Sequence, residues 1–444
     1  MTERDLERLV AAGYSSRDAR TRAALLDRAE AAYARWRGTA PRWRWLVPGR
    51  VEIFGKHTDY GGGRSLVCAA SRAMAVVAGP REDDEVHVCD AVDGRACAVG
   101  AHAPLPEDGW SRYVAVVAHR LWRNFPHRPL GASVVIASDI PRAAGMSSSS
   151  ALVVAVAGAL VTRGGLRETD AWRHHIGGEA QFATYLGCIE NGSDFPGLPG
   201  TTGVGTFGGS EDHVAMITSR PGHLTLNQYV PVVRLGDAAL PSDWRLLIAT
   251  SGVRADKAGA ARERYNRLSC ALHEVLTIWN TVAETRYASL AAAIQGAGGP
   301  GVIRDAVSRV APASAARSLT RRLMHFVRED ARAASALVAT AAADCEAVAA
   351  LARESQREAS ELLENQVPET EVLAAEALGA GAWAASSFGA GFGGSVWALA
   401  PRGEAARIGA RWIDRYRARL PHATEAEWFV CHPAPPWLDL SRDV

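Results

Sequence analysis

Hydrophobic and polar positions recur with different periods along the chain, and the period predicts the type of each element. Residues 3–37 place Leu6, Leu9 and Leu26 at helical spacing among charged residues, which predicts a helical extension packed on the domain behind it. From Trp43 to about Val99 the pattern changes to short β-rich runs, namely RWLV, RVEIF, AMAVVAG and EVHVCDAV. Because Pro, Gly and Asp bound these runs, they are typical of strands in a sheet.

The next residues predict a strand, a buried helix and a long loop. ASVVIASDI has the composition of a strand and leads through Pro141 into a serine-rich turn. The stretch ALVVAVAGALV is apolar on every face and too long for a strand, so it predicts a buried helix. Residues 191–210 are rich in Gly and Pro, and so long a loop inside a compact domain is usually functional.

Beyond about residue 240 the chain is Ala-rich and predicts helices through residues 258–365. A glycine cluster, the strand VWALA, an Arg-rich helix near residues 402–420 and a last strand, EWFVCH, follow. We therefore expect an α+β fold of three segments. These are an N-terminal helical extension (1–40), an N-terminal domain (41–235) and a C-terminal domain (236–444).

The composition and charge of the chain disfavour several classes of protein. A chain of 444 residues with 48% hydrophobic and 22% charged residues is typical of a globular protein of about two domains. The net charge of +1 disfavours a nucleic-acid binder. We expect neither a membrane span nor a secretory signal, because no apolar run is long enough and MTERDLERLV carries acids. The seven cysteines are scattered without CxxC spacing, which disfavours disulfides and a zinc cluster and predicts a cytoplasmic protein.

Polar residues crowd the end of a predicted strand in PGRVEIFGKHTDYGGG, residues 48–63. The glycine run would let the backbone approach a ligand closely. The Asp and His side chains offer the donors and acceptors that hold the hydroxyls of a polyol. A polar turn that only caps the strand would have a similar composition.

The segment PRAAGMSSSSA, residues 141–151, opens the predicted buried helix. Serines at a helix start cap free amides, and the remaining N–H groups with the helix dipole form an anion site that suits phosphate. A simple N-cap needs one serine, whereas four occur here. The segment lacks the Gly-Lys-Ser/Thr ending of a Walker A loop. Ser149 stands where a GxSxG hydrolase elbow needs glycine.

The third motif, GAGFGGS at residues 389–395, precedes the strand VWALA. A dinucleotide-binding fingerprint follows a strand and opens a helix, so this order disfavours a dinucleotide site. A flexible hinge would also be rich in glycine.

In this order the three motifs resemble those of the superfamily of galactokinases, homoserine kinases, mevalonate kinases and phosphomevalonate kinases. GRVEIFGKHTDYGGG is similar to the galactokinase signature GR-V-N-L-I-G-E-H-T-D-Y-N-G-G, and PRAAGMSSSSA to the phosphate loop P-x-x-x-G-L-S-S-S-A. GAGFGGS resembles the third, glycine-rich motif. The resemblance covers roughly residues 40–435. It implies a two-domain galactokinase-like kinase fold, with sugar and ATP bound by segment 41–235 and the active site in the cleft between the domains.

The resemblance also implies a catalytic pair. Aligning Gly222-His223 with a later Gly-His of the family places the catalytic aspartate at Asp212 within GGSEDH, and a shift of one residue would select Glu211. Arg50 resembles the arginine beside that aspartate, where a cation stabilises charge on the transferred group. A helix N-cap is the alternative role for Asp212.

The resemblance also implies which residues bind the sugar, ATP and Mg²⁺. The sugar would be bound by Lys56, His57, Asp59, Tyr60, Gly209 and Tyr265. ATP would be bound by Gly145, Met146, Ser147, Ser148, Ser149, Ser150, Gly391 and Gly393. Mg²⁺ would be held by Ser148 and Glu190, consistent with its preference for oxygen ligands.

Lys56 departs from the family, which has glutamate at this position in contact with the sugar. An ammonium only donates hydrogen bonds, so Lys56 predicts a substrate with an acceptor or a negative charge, such as a uronic acid. Alternatively, Lys56 turns away to pair with Glu52 or Asp194.

We therefore expect an ATP-dependent sugar kinase that acts at the anomeric hydroxyl. The alternatives are a kinase for a uronic acid, arabinose or heptose, and a catalytically silent sugar-sensing regulator. The chain retains Gly145, Ser147–Ser149 and Asp212, and their presence favours an enzyme over a regulator. The HTDY run argues against a mevalonate or homoserine kinase.

Overall fold

The computed structural model describes residues 3–254 and 259–441. The N-terminal extension forms two helices, α1 (Glu3–Ala11) and α2 (Ser16–Arg37), rather than one helix over residues 3–37. The break has a local cause, because the Ser15 side chain caps α2 by accepting a hydrogen bond from Asp18 N. α2 packs against strands β2 and β5 of the larger sheet, defined next, as the helical spacing predicts.

The larger sheet of the described chain contains eight strands, in the order β12-β1-β2-β5-β3-β4, with β6 paired to β2 and β7 paired to β6. Their bounds are β1 (Trp43–Phe54), β2 (Arg64–Pro80), β3 (Glu85–Asp90), β4 (Ala96–Gly100), β5 (Ala132–Ser138), β6 (His223–Gln228), β7 (Val233–Ala239) and β12 (Leu438–Asp439). RWLV and RVEIF, predicted as separate strands, form the single strand β1, whose pairing with β2 shifts register twice.

Helices pack on this sheet. They are α3 (Trp110–Asn124), α4 (Ser148–Gly164), α5 (Asp170–His175), α6 (Glu179–Asn191) and α7 (Glu211–Thr218). The stretch ALVVAVAGALV lies within α4, and its side chains are buried between β1, β2 and β5 on one side and α3 and α6 on the other. The predicted buried helix is therefore confirmed.

The smaller sheet is antiparallel, in the order β11-β8-β10-β9. Its strands are β8 (Trp244–Thr250), β9 (Ala384–Phe388), β10 (Ser395–Pro401) and β11 (Trp428–Cys431). The helices α13 (Pro368–Ala380) and α14 (Ala405–Arg419) cover one face and share an apolar core with it. The strand VWALA and the Arg-rich helix lie where the sequence predicts them.

Between β8 and β9 the chain forms a helical layer: α8 (Gly259–Val282), α9 (Leu290–Gly296), α10 (Pro300–Val310), α11 (Ala313–Ala341) and α12 (Cys345–Glu358). Helices α8 to α11 share a core around Leu272, Leu323 and Phe326, whereas α12 packs into the main core through Val348, Ala349 and Ala352. α11 also packs against β1, β2, β6 and β7 of the larger sheet, so it joins the two halves of the chain.

The α+β class is confirmed. The predicted boundary at residues 235/236 falls inside β7, and the chain changes sheets between β7 and β8, while β12 returns to pair with β1. The division into domains stays a prediction. Within the described residues, no helix is both long and apolar enough to cross a membrane.

Candidate active site

The first motif places two charged side chains on one face of β1. Arg50 and Glu52 are two residues apart in a strand, so their side chains point to the same side. The strand ends at Phe54, and Gly55 turns the chain with a φ of 107°. A Cβ built at Gly55 would lie 2.4 Å from Ser65 Cα, so this turn requires glycine.

Helix α11 holds the loop that follows. Glu329 Oε1 accepts hydrogen bonds from the amides of Gly55 (3.1 Å) and Lys56 (3.4 Å). The Arg322 guanidinium donates to the carbonyl oxygen of His57. The Ala-rich pattern of residues 258–365 predicted helices there but did not indicate that one of them supports the first motif.

His57 connects the first motif to the third. Its Nε2 lies 3.1 Å from the carbonyl oxygen of Ala390, which only accepts, so Nε2 carries the proton. In the neutral ring, Nδ1 then accepts from the hydroxyl of Tyr60 at 2.9 Å. Tyr60 in turn accepts from Arg322 at 2.9 Å. A chain of hydrogen bonds thus fixes the orientation of His57.

The second motif forms a tight turn before α4. Gly145 and Ser147 both have positive φ, 77° and 56°. The Met146 side chain is buried, and its carbonyl oxygen accepts from Arg50 N at 3.3 Å. Because α4 begins at Ser148, its free amides lie directly after this turn.

Asp212 lies at the start of α7, where the first two motifs meet. Its Oδ1 accepts from Arg50 Nε at 2.7 Å, and its Oδ2 accepts from Ser147 Oγ at 2.5 Å and Ser150 Oγ at 3.2 Å. The Glu211 carboxylate is 3.7 Å from Arg50 Nε. Of the two candidates, Asp212 therefore has the closer contact with Arg50.

Two cavities meet at Arg50 and Ala390, which line both. The acidic cavity, as we call the first, is lined by the carboxyl groups of Glu52, Asp59, Glu190, Glu211 and Asp212. Among the described residues, Arg50 is the one arginine or lysine that lines it, beside His57 and His213. Its field therefore favours neutral or positively charged ligands.

Tyr265 and Gly209 also lie at the acidic cavity. The Tyr265 and His57 rings are 5.4 Å apart between centroids. A Cβ at Gly209 would lie 2.3 Å from Asp59 Oδ2, so glycine allows this backbone to approach the carboxylate. Asp59 also accepts from Glu211 N at 3.2 Å, and burial raises the pKa of Asp59.

The second, larger cavity has a volume of about 370 Å³, within the usual range of small-molecule sites. Gly145, Ser147, Ser148 and Ser149 line one side of it. Its wall also carries the arginines Arg95, Arg112, Arg142, Arg254 and Arg262 and the apolar or aromatic side chains Trp110, Tyr113, Ile136 and Leu152. Helix-start amides, hydroxyls and guanidinium groups beside an apolar surface suit an anionic aromatic ligand such as a nucleotide.

The third motif packs behind the second. Ser395 Oγ donates to the carbonyl oxygen of Ala144, and a Cβ at Gly389 would lie 2.8 Å from the carbonyl oxygen of Gly145. Gly391 lies against Asn365 instead. Gly389 and Ala390 line the acidic cavity, whereas Gly391 and Gly393 are not among the residues that line the two cavities. The third motif thus packs against the second motif and Asn365, and the binding of ATP by Gly391 and Gly393 stays a prediction.

The Lys56 side chain is fully buried and lies outside both cavities. Its Nζ donates to Ser355 Oγ at 2.6 Å and Ser386 Oγ at 2.9 Å and is 3.9 Å from Glu329 Oε1. Burial lowers the pKa of Lys56, against the opposing effect of Glu329. The ammonium turns away from the acidic cavity, but to partners other than the Glu52 and Asp194 considered from the sequence.

Glu190 and Ser148 face different cavities. Glu190 Oε2 accepts from Ser150 Oγ at 3.0 Å and lies 3.2 Å from His213 Nε2, at the acidic cavity, whereas Ser148 lines the larger cavity. No group of three or more His, Cys, Asp or Glu within the described ranges could hold a metal ion. The carboxylate of Glu190 and the hydroxyl of Ser148 are nevertheless oxygen donors of the kind that Mg²⁺ uses with nucleotides, and Ser150, which contacts Glu190, lies two residues after Ser148.

The sequence reasoning missed Glu52 as a site residue. It is 3% exposed, lines the acidic cavity, and its Oε1 has no hydrogen-bond partner among the described residues. The signal was present in the motif itself, because the galactokinase signature has asparagine at this position.

Comparisons with known proteins give matches to one group of kinases. Three family models match in order: the galactokinase galactose-binding signature at residues 32–80, the N-terminal domain of GHMP kinases at 112–185 and their C-terminal domain at 335–418. The galactokinase of Streptomyces coelicolor is 29% identical over 82% of this chain and 85% of its own length. The galactokinase of Haemophilus influenzae (strain PittEE) is 32% identical, but the match spans 30% of this chain and 35% of that relative.

Solved structures share the fold. Lactococcus lactis galactokinase complexed with galactose superposes with a TM-score of 0.75 at 20% identity, covering 93% of this chain and 98% of the other. Methanococcus jannaschii mevalonate kinase gives a TM-score of 0.56 at 13% identity, over 89% and 99% of the two chains. The three family models, the galactokinase relatives and the shared fold together support a galactokinase-like GHMP kinase. Its fold matches the two-domain fold of these kinases, as the resemblance implied.

Proposed function

We propose that this protein is an ATP-dependent kinase that phosphorylates a monosaccharide at its anomeric hydroxyl. The observation that carries the proposal is the position of Arg50 and Asp212, which meet where the acidic cavity joins the larger cavity. A sugar in the acidic cavity and a nucleotide in the larger one would present their reacting atoms to this pair. The galactokinase relatives support the same class of reaction.

In the proposed reaction, Asp212 accepts the proton of the sugar hydroxyl while that oxygen forms a bond to the γ-phosphorus of ATP and the bond to the ADP oxygen breaks. Arg50 holds Asp212 through Nε and places positive charge beside the transferred group. Ser147 and Ser150 orient the other carboxylate oxygen.

The start of α4 would hold the phosphates of ATP, because its free amides and the hydroxyls of Ser148 and Ser149 face the larger cavity. Ser148 and Glu190 would hold Mg²⁺, which supplies positive charge to the phosphate oxygens when bound. Asp59, His57 and Tyr265 would bind ring hydroxyls in the acidic cavity.

We also propose a cytoplasmic location. All seven cysteines are free thiols in the structure, which fits a reducing compartment.

The function is tested by measuring ADP release from ATP with purified protein and a panel of aldohexoses, pentoses, heptoses and uronic acids. We expect turnover with neutral sugars and a product whose ³¹P signal couples to the anomeric proton. Sugar binding without ADP release from any sugar of the panel would instead indicate a sensing protein and overturn the proposal.

A further inference from the structure

The acidic cavity contains a buried carboxyl group that the proposed reaction does not use. Glu52 is 3% exposed. Its carboxyl group has a hydrogen bond with the Glu211 side chain, but its Oε1 atom has no hydrogen-bond partner among the described residues. A buried carboxyl oxygen without a donor is costly, so such a group in a ligand cavity is expected to receive its donor from the ligand. Arg50, on the same face of β1, is occupied by Asp212 and by the carbonyl oxygen of Gly145.

The charges around Glu52 restrict what that ligand can be. Asp59, Glu190, Glu211 and Asp212 line the same cavity, and Lys56 directs its ammonium to Ser355 and Ser386 outside it. A carboxylate on the substrate would meet this group of acids with Arg50 already paired. A hydroxyl or an ammonium would donate to Glu52, and an ammonium would gain a charge-assisted bond.

We propose that Glu52 determines substrate specificity, because its carboxyl group binds a hydrogen-bond-donating substituent of the sugar and thereby admits neutral and amino sugars while excluding sugar acids. This inference rests on the proposed kinase function. It replaces the uronic-acid preference that Lys56 suggested from the sequence, since Lys56 does not reach the cavity.

The burial of Glu52 is consistent with this role. Burial raises the pKa of Glu52 to about 7, and Arg50 and Lys56 oppose that shift. A bound hydroxyl or ammonium donor would favour the ionised carboxylate and lower this pKa, whereas a substrate carboxylate would raise it further. Asparagine, which the galactokinase signature has here, carries no charge and cannot select against a carboxylate in the same way.

The test compares galactose, galactosamine and galacturonic acid as substrates and, by calorimetry without ATP, as ligands. In the wild type we expect galacturonic acid to have a kcat/KM at least about 100-fold below that of galactose, since like charges in a desolvated site strongly oppose binding. Galactosamine should bind at least as tightly as galactose. A wild type that prefers galacturonic acid in either measurement overturns the proposal without any variant.

The variant Glu52→Gln keeps the shape and removes the charge. We expect the ratio of the affinity for galactosamine to that for galactose to fall about tenfold, the usual scale of one charge-assisted bond. The ratio of kcat/KM for galactose to that for galacturonic acid should fall by a similar factor. The matched control is Glu376→Gln, a buried carboxylate that pairs with Arg415 on α14, outside both cavities, and should leave both ratios unchanged.

The two proposals fail in different ways. If the wild type releases ADP with none of the sugars, the kinase function is wrong. If it phosphorylates galactose but Glu52→Gln, folded by its melting curve, keeps both ratios, then Glu52 does not determine specificity. If Glu52→Gln does not fold, Glu52→Asn is measured instead. The ranking of the three sugars by kcat/KM and affinity in the wild type tests the proposal in either case.

Discussion

Arg50 Nε lies 2.7 Å from Asp212 Oδ1, although 162 residues separate the two in the chain. Burial disfavours the charged guanidinium, but Asp212 and Glu211 more than offset this and raise the pKa of Arg50. The arginine is therefore permanently charged, and it holds one oxygen of Asp212 while Ser147 and Ser150 hold the other.

Asp212→Asn should lower kcat by about 10²–10⁴-fold, the usual contribution of a general base, while sugar affinity changes little. Glu211→Gln is the comparison, because Glu211 lies farther from Arg50 at 3.7 Å. We expect it to retain much more activity than Asp212→Asn. Steady-state kinetics together with calorimetric binding of the sugar measure both effects. The reverse ranking of the two variants would move the base to Glu211.

Gly145→Ala should weaken ATP binding more than sugar binding. The residue has a φ of 77° beside the helix start, and a Cβ there would lie 3.1 Å from the carbonyl oxygen of Phe388, so the turn that presents the serines must shift. We expect the KM for ATP to rise by about tenfold or more, as expected when a helix-start phosphate site is displaced.

Gly38→Ala is the matched control for backbone strain. Gly38 has a φ of 70° at the end of α2, and nothing lies within 4 Å of a Cβ built there. It should cost about 1 kcal/mol of stability and leave the KM for ATP unchanged. If the two substitutions raised the KM for ATP by the same factor, the Gly145 turn would have no specific role in nucleotide binding.

Lys56→Glu should destabilise the protein rather than create activity on galactose. It would bury a third carboxyl group beside Glu52 and Glu329 and leave Ser355 and Ser386 without their donor. Removing one partner of a buried ion pair typically costs about 3–5 kcal/mol.

Lys56→Met, which keeps most of the volume, should cost less than Lys56→Glu, since it introduces no new charge. Chemical denaturation of both variants checks this order. A stable Lys56→Glu variant with increased kcat/KM for galactose would show that the side chain reaches the substrate.

Arg322→Ala should raise the KM for the sugar and leave that for ATP nearly unchanged. Arg322 binds the His57 carbonyl and the Tyr60 hydroxyl, so its loss frees the residues that line the acidic cavity. We expect an increase of about tenfold, the scale of one or two lost hydrogen bonds to a charged group. Arg321→Ala on the same helix removes a partly exposed pair with Glu364 and should change neither constant.

Glu52 should make the free energy of unfolding of the protein depend on pH. Burial raises its pKa to about 7, a shift that Glu329 on α11 reinforces and that Arg50, Lys56 and a hydrogen bond with Glu211 oppose. Between about pH 4.5 and 7 the native state then holds more protons than the unfolded chain, so this group lowers stability as pH rises.

The substitution Glu52→Gln removes the loss of stability that ionisation of Glu52 causes as pH rises. The free energy of unfolding of the variant relative to wild type should therefore increase from pH 5 to pH 8, by up to about 3 kcal/mol. Urea denaturation at the two pH values measures it. A difference that stays constant between them contradicts the shifted pKa.

The sequence by itself determined the three motifs and the buried helix between them. Four serines after Gly145, followed by an unbroken apolar stretch, predict a helix whose start faces a ligand, and α4 has this form. Local composition carries such information because capping, turn formation and apolar periodicity act over a few residues. The order of the motifs was enough to predict the family.

Only the tertiary structure decided what each side chain contacts. Lys56 and Glu52 lie four residues apart in the same motif, yet the lysine turns to α12 and β9 while the glutamate lines the cavity. The partners of Lys56 come from a helix and a strand about 300 residues away, as does Glu329, which holds the loop. Long-range packing sets these directions, because each buried charge must find a partner, and the sequence does not state which distant residue supplies it.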